Sequence, residues 1–207
     1  MSVRIKICGI TRLEDALAAV EAGVDALGFM FVEASPRCIT PEQAAGILRE
    51  LPPFVARVGV FVNPSPDKVR AAIDETGIDT LQFHGEETPA FCRQFGLRAI
   101  KAFRVSDAES LKTLADFRSE TWLLDSFVAG KHGGTGAVFN WDLAAQAVKR
   151  GGRVILAGGL TPDNATEAVR QVRPYALDVS SGVEFAPGRK DAAKVRAFIA
   201  AARYGHA

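Results

Sequence analysis

Charge of one sign is what this sequence most conspicuously lacks. Lys and Arg number 25 against 24 Asp and Glu, a formal net charge of +1. No basic excess is available to neutralise a phosphate backbone, so nucleic acid is not an expected partner. Long apolar runs are missing as well: none approaches the roughly 20 residues needed to cross a bilayer. Strand-like sequence begins at Val3, which leaves no room for a secretory leader. A cytoplasmic protein without a membrane partner is therefore expected. Cysteine is scarce, and the odd set Cys8, Cys38 and Cys92 makes neither a disulfide framework nor a paired zinc-ligand spacing. Free thiols fit a reducing compartment. Histidine is also scarce. Of the three, only His84 ends a strand-like run, while His132 falls in a Gly-rich loop and His206 in the tail. A metal centre built from His84, Asp125 and Asp178 is the disfavoured reading, and no metal or cofactor is expected.

What is present is a globular composition, 48% hydrophobic and 24% charged over 207 residues, a size that suits one domain spanning 1–207. Short apolar runs alternate with amphipathic stretches from end to end. The pattern predicts strands at Val3–Cys8, Ala26–Phe31, Val55–Phe61, Thr80–His84, Leu97–Phe103, Trp122–Asp125, Arg153–Ala157 and Leu177–Ser180. It predicts helices near Leu13–Ala22, Pro41–Leu51, Pro66–Thr76, Pro89–Phe95, Ala108–Phe117, Trp141–Lys149, Pro162–Val172 and Ala192–Ala202. Thr40-Pro41, Ser65-Pro66 and Thr161-Pro162 each read as an N-cap followed by Pro at the first helical position. Strand–helix alternation implies parallel strands joined by helical crossovers, and eight units make a minimal (β/α)8 TIM barrel. A doubly wound open sheet competes, but the turn Cys8-Gly9-Ile10-Thr11 lacks its GxGxxG fingerprint.

Strand periodicity sorts the side chains. Arg4, Lys6 and Cys8 share one face, as do Thr80, Gln82 and His84, and Thr121, Leu123 and Asp125, and Asp178 and Ser180. The apolar faces should pack on helices, turning the polar sets inward. Cys8, His84, Asp125, Asp178 and Ser180 then converge on the C-terminal mouth, where barrel active sites sit. A free Cys is most often a small buried hydrophobe; at a strand end facing the mouth, Cys8 is a candidate base or nucleophile. Cys38 and Cys92 lack that placement and read as structural. Asp125 reads either as a loop-capping acid or as the proton-transfer partner of Cys8.

Gly158-Gly159 follows strand seven and Ser180-Ser181-Gly182 follows strand eight. Barrel phosphate sites are commonly built from these two loops, so the pair implies a phosphorylated small molecule. Arg37 is either a solvated surface residue or a grip for a carboxylate. The Gly-rich stretch 126–139 reads as a mobile lid or a plain surface loop. Lys6 and Lys101 lie within strands but show no partner signature for Schiff-base chemistry.

The motifs together are distinctive. They are Lys6-Ile7-Cys8-Gly9-Ile10-Thr11, Gly28-Phe29 with Ser35-Pro36-Arg37, Val58-Gly59-Val60-Phe61-Val62-Asn63, Leu81-Gln82-Phe83-His84-Gly85, and Leu124-Asp125-Ser126. Gly133-Gly134-Thr135-Gly136, Leu156-Ala157-Gly158-Gly159-Leu160 and Asp178-Val179-Ser180-Ser181-Gly182-Val183-Glu184 complete the set. In this order the chain resembles the phosphoribosylanthranilate isomerases of tryptophan biosynthesis. The resemblance implies a cofactor-free Amadori rearrangement of N-(5-phosphoribosyl)anthranilate to 1-(2-carboxyphenylamino)-1-deoxyribulose 5-phosphate. By that resemblance Asp125 is the general acid and Cys8 the general base. Arg37 lies near the anthranilate carboxylate, and Gly158, Gly159, Ser180, Ser181 and Gly182 cradle the phosphate. Gln82, His84 and Asp178 line the mouth, and the chain is a monomer or homodimer. Asp125 must hold a proton when it donates and Cys8 must lack one when it accepts; hydrogen bonds and positive dipoles are expected to favour the thiolate. Competing readings are another phosphate-binding barrel, such as a ribulose-phosphate epimerase or a thiamine-phosphate synthase, and a non-catalytic binding barrel. A third is an isomerase broadened to the histidine-pathway aminoaldose.

Overall fold

The computed structural model describes residues 2–117, 121–126 and 141–205. Eight parallel strands close on themselves in chain order. They are β1 (Arg4–Cys8), β2 (Ala26–Met30), β3 (Ala56–Phe61), β4 (Thr80–Phe83), β5 (Arg98–Val105), β6 (Thr121–Ser126), β7 (Val154–Leu156) and β8 (Ala176–Val179). The ring closes where Lys6 of β1 stands opposite Asp178 of β8 on one side and Ala26 of β2 on the other. Helices α1 (Leu13–Glu21), α2 (Pro41–Arg49), α3 (Pro66–Thr76), α4 (Pro89–Arg93), α5 (Trp141–Lys149), α6 (Ala165–Val172) and α7 (Ala192–Gly205) follow the strands. The expected (β/α)8 barrel is the fold, and closure rules out the open sheet. Among the described residues no helix is long and apolar enough to cross a membrane.

The period-two pattern decides what each strand buries. Ile5, Ile7, Leu27, Phe29, Phe61, Leu81, Phe83, Leu124 and Leu177 point outward into the core shared with the helices. Val58, Val60, Ile100, Ala102, Leu123, Ile155 and Ala176 fill the lumen together with Cys8. The lumen is thus mostly small and β-branched, and its buried polar residues are Lys6, Gln82 and Asp178. Lys101 falls on the opposite face of β5. Its ammonium reaches up to the carbonyl of Gly85 at 2.7 Å and to Glu87 at 3.4 Å, tying down the loop that carries His84.

Two of the three predicted helix starts hold. Thr40 and Gln43 make a reciprocal capping box on α2, and Ser65 accepts from the Lys68 amide on α3. Each such cap contributes about 1 kcal/mol. The third does not: α6 begins at Ala165, three residues after Pro162. There the Asn164 side chain accepts from Thr161 N–H and donates to the Gly159 carbonyl, spending the turn on bracing the β7 loop. The predicted helix at Ala108–Phe117 shrinks to a 3₁₀ turn, Thr113–Phe117. Asp107 captures both the amide and the hydroxyl of Ser110, a local alternative that competes with helical bonding. A short hairpin after β8, β9 (Glu184–Ala186) with β10 (Arg189–Lys190), was not anticipated.

All three cysteines are free. Cys92 is buried as a structural residue should be, but Cys38 is exposed, so the structural reading fails for it. Phe54 stands 96% exposed beside the cavity at the N-terminal end of the barrel. Most of the Gly-rich stretch 126–139, with Phe127, Lys131 and His132, lies outside the described residues, and its reading as a lid with it.

Candidate active site

The strand ends deliver their side chains to one place. A cavity of about 190 Å³ opens at the C-terminal mouth. Cys8 from β1, Gln82 from β4 and His84 just after it, Asp125 from β6 and Asp178 from β8 line it, with Arg37 as well. Gly158, Gly159, Ser180, Ser181 and Gly182 form its other wall. Every site residue expected from sequence is therefore brought to the same cavity. A roomier cavity of about 450 Å³ opens at the opposite end, among Arg4, Arg98, Arg153 and Tyr175, but gathers no thiol there.

Local structure explains each placement. Cys8 is the last residue of β1, and Gly28 lies beside it in register on β2. A Cβ on Gly28 would stand 2.8 Å from the Cys8 sulfur, so only glycine leaves the thiol its space. Gly9, at φ +78°, turns the chain out of the strand, and the Arg37 side chain lies where a Cβ would be. Gly158 and Gly159 also hold positive φ, 84° and 64°, which keeps the β7 loop tight against the cavity.

Polar groups in the cavity are only partly satisfied. Gln82 Nε2 lies 3.5 Å from His84 Nδ1, and His84 Nε2 lies 3.4 Å from an Asp125 carboxylate oxygen. Gln82 Oε1 and Ser180 Oγ are buried without a hydrogen-bond partner among the described residues. Buried polar atoms are normally paired, so two orphans lining one cavity mark places where a ligand can bond. The bare backbone of the Gly158-Gly159 and Ser181-Gly182 turns suits an anion. Among the described residues no cluster of His, Cys, Asp and Glu is arranged to hold a metal ion.

Comparison with known proteins gives the frame. The family model for N-(5'-phosphoribosyl)anthranilate isomerase matches residues 5–201. The chain belongs to this family. N-(5'-phosphoribosyl)anthranilate isomerase of Citrifermentans bemidjiense is 59% identical over 200 residues, covering 97% of each chain. The phosphoribosyl anthranilate isomerase of Thermotoga maritima superposes with a TM-score of 0.92 at 44% identity, covering 97% of this chain and 98% of that one. A phosphoribosyl anthranilate isomerase solved with reduced 1-(o-carboxyphenylamino)-1-deoxyribulose 5-phosphate superposes at 0.88, also 44% identical, covering 97% and 98%.

In this chain the electrostatics of the mouth depend on residues that sequence reading undervalued. Glu184 of the unforeseen hairpin accepts two bonds from Arg37, Nε at 2.9 Å and Nη2 at 2.7 Å. Lys190 of the same hairpin donates to Glu184 at 2.7 Å and also to the Cys8 carbonyl. Arg37 is therefore half-buried and clamped, and its Nη1 is left without a partner among the described residues. Burial works against the Glu184 charge, but these two cations win and hold its carboxyl below the usual Glu value. Glu184 sits inside a motif legible in sequence; nothing in the sequence pairs Lys190 with it.

Cys8 is a different case. Burial pushes its thiol up, and the neighbouring Lys6 charge, although it pulls the other way, does not cancel that rise. The expectation that local positive charge favours the thiolate is right about the direction of that pull and wrong about which effect is larger. Asp178 is likewise pushed up by burial, against the pull of Lys6 at 2.9 Å.

Proposed function

We propose that this isomerase converts N-(5-phosphoribosyl)anthranilate to 1-(2-carboxyphenylamino)-1-deoxyribulose 5-phosphate in tryptophan biosynthesis, with Asp125 as general acid and Cys8 as general base. The observation that carries the reading is the cavity shared by the Cys8 thiol and the Asp125 carboxyl group, walled by two glycine turns suited to a phosphate. Asp125 gives its proton to the furanose ring oxygen. The bond from that oxygen to carbon one breaks as the anthranilate nitrogen lone pair forms a protonated Schiff base. The Cys8 thiolate takes the proton from carbon two, and the electron pair becomes the carbon–carbon double bond of an enolamine. Loss of the proton on the carbon-two hydroxyl and gain of one at carbon one then give the ketone.

The chain's own side chains supply orientation. The turns at Gly158-Gly159 and Ser180-Ser181-Gly182 hold the phosphate, and Arg37, its fork fixed by Glu184, offers the remaining Nη1 edge to the carboxylate. Pinning both anionic ends places the sugar between acid and base, which removes much of the entropic barrier. Gln82 Oε1 accepts from a sugar hydroxyl and the Ser180 hydroxyl donates to the phosphate, both being unpartnered among the described residues. His84 Nε2 lies 3.4 Å from the Asp125 carboxylate and faces the same cavity, which orients that acid.

The test is a fluorescence assay following loss of freshly made phosphoribosylanthranilate, comparing wild type with Cys8→Ser and Asp125→Asn. Each substitution is expected to cut kcat by about 10²–10⁴-fold, the usual contribution of a positioned acid or base, while substrate affinity survives. An unchanged kcat for Cys8→Ser removes the base assignment.

A further inference from the structure

We propose that Lys6 is a positioning residue for the isomerisation, its ammonium set between the Cys8 sulfur and the Asp178 carboxylate so that it offsets part of the cost of forming a thiolate in a buried site. This rests on the reading of Cys8 as the base. Lys6 and Cys8 are two residues apart on β1, so both face the lumen, Lys6 one layer below. A single point, the site of a Cβ on Gly28, lies 2.8 Å from the Cys8 sulfur and 3.1 Å from Lys6 Nζ, so the two atoms are at most 5.9 Å apart. On its other side Lys6 Nζ donates to Asp178 Oδ1 at 2.9 Å. Lys6 is 2% exposed and does not line the mouth cavity, so it acts through Cys8 and not on substrate.

The arrangement is costly for mere packing. A charged ammonium inside a barrel must be offset by close anions, and an apolar residue of similar volume would serve stability at least as well. Burial opposes the Lys6 charge, yet Asp178 and Cys8 together hold its pKa above the ordinary value. The other charged groups near Cys8 are Lys190 from β10, Arg37 from the loop after β2, and Asp125 and His84 across the cavity. Lys190 and Arg37 are both tied to Glu184. Lys6 is the cation whose pull on the sulfur is largest, and Asp178 is the anion that competes for it. Removing Lys6 should make the thiolate rarer, and removing the Asp178 charge should make it commoner. A residue that merely filled space would not produce opposite signs in two adjacent variants.

The experiment measures the Cys8 thiol itself. Iodoacetamide alkylation of the Cys8 peptide is followed by mass spectrometry across pH in wild type, Lys6→Met, Lys6→Arg and Asp178→Asn, beside pH profiles of kcat. In Lys6→Met the thiol titration should move alkaline by about one unit or more, roughly tenfold less thiolate at neutral pH. The rising limb of kcat should move with it while KM holds. Lys6→Arg should restore part of the shift, and Asp178→Asn should move the titration the other way. If Lys6→Met does not fold, the Asp178→Asn arm still decides by its sign. A titration that shifts while the kcat limb stays fixed upholds the coupling and removes Cys8 as the base. A Cys8 titration unmoved by loss of either charge overturns the proposal.

Discussion

Gly182→Ala puts the two-loop phosphate cradle to a quantitative test. Gly182 has no positive φ, so alanine meets no backbone penalty there. The obstacle is steric. Its new methyl carbon would stand 1.8 Å from the Leu160 carbonyl oxygen, 2.9 Å from the Leu160 carbonyl carbon and 3.3 Å from the Thr161 Cα. Even the tightest contact real methyls show is 3.0 Å, so the β7 and β8 loops must part by roughly 1 Å or more. Leu160 is buried, and its backbone has little room to yield. Overpacking of this kind costs about 1–3 kcal/mol, and each kcal/mol lowers Tm by about 2–4 °C at this chain length. The larger effect should be on catalysis, because a displacement near 1 Å in a positioning element can cost about 100-fold. The assay is steady-state loss of phosphoribosylanthranilate fluorescence alongside a thermal melt. A rise in KM with a fall in kcat/KM is expected. Gly46→Ala is the control: nothing lies within 4 Å of a Cβ there, and it sits inside α2, so stability should rise by about 1 kcal/mol with activity intact. If Gly182→Ala keeps wild-type kcat/KM, the loops do not hold the phosphate, and the reasoning from their close approach is wrong.

Arg37→Ala should weaken substrate binding, seen as a raised KM of roughly 10–100-fold for loss of a charge-assisted anchor; a fall in kcat at unchanged KM would contradict the anchor role. Glu184 links stability to pH. Its folded-state pKa lies below the unfolded value because Arg37 and Lys190 bond its carboxylate against the cost of burial. Its contribution is therefore complete above the unfolded Glu value of about 4.3 and is lost as pH falls through the lower folded value. Urea midpoints should separate wild type from Glu184→Gln at neutral pH and converge in acid; a gap independent of pH would refute the linkage.

Eight strands in chain order, the inward set Lys6, Cys8, Gln82, His84, Asp125 and Asp178, and the two glycine turns were all legible in the sequence. The reason is that periodicity and turn chemistry are local. A period of two tells which side chains share a face, and in a closed parallel barrel one face must turn inward and every C-terminal end must meet at one mouth. Local signals misled where a side chain had a second use, as at Asn164 and Asp107, whose hydrogen bonds diverted the backbone from the helix that propensity favours. What tertiary structure alone decided is who faces whom across long separations in sequence. Lys6 meets Asp178 only because β8 closes beside β1, and Arg37 meets Glu184, itself bonded by Lys190, only because a hairpin folds back over the first strand. Such pairings set the charge environment of Cys8 and the orientation of Arg37. They depend on distances between side chains that chain order does not encode, so the sequence could name the thiol and the carboxyl group but not the ions that tune them.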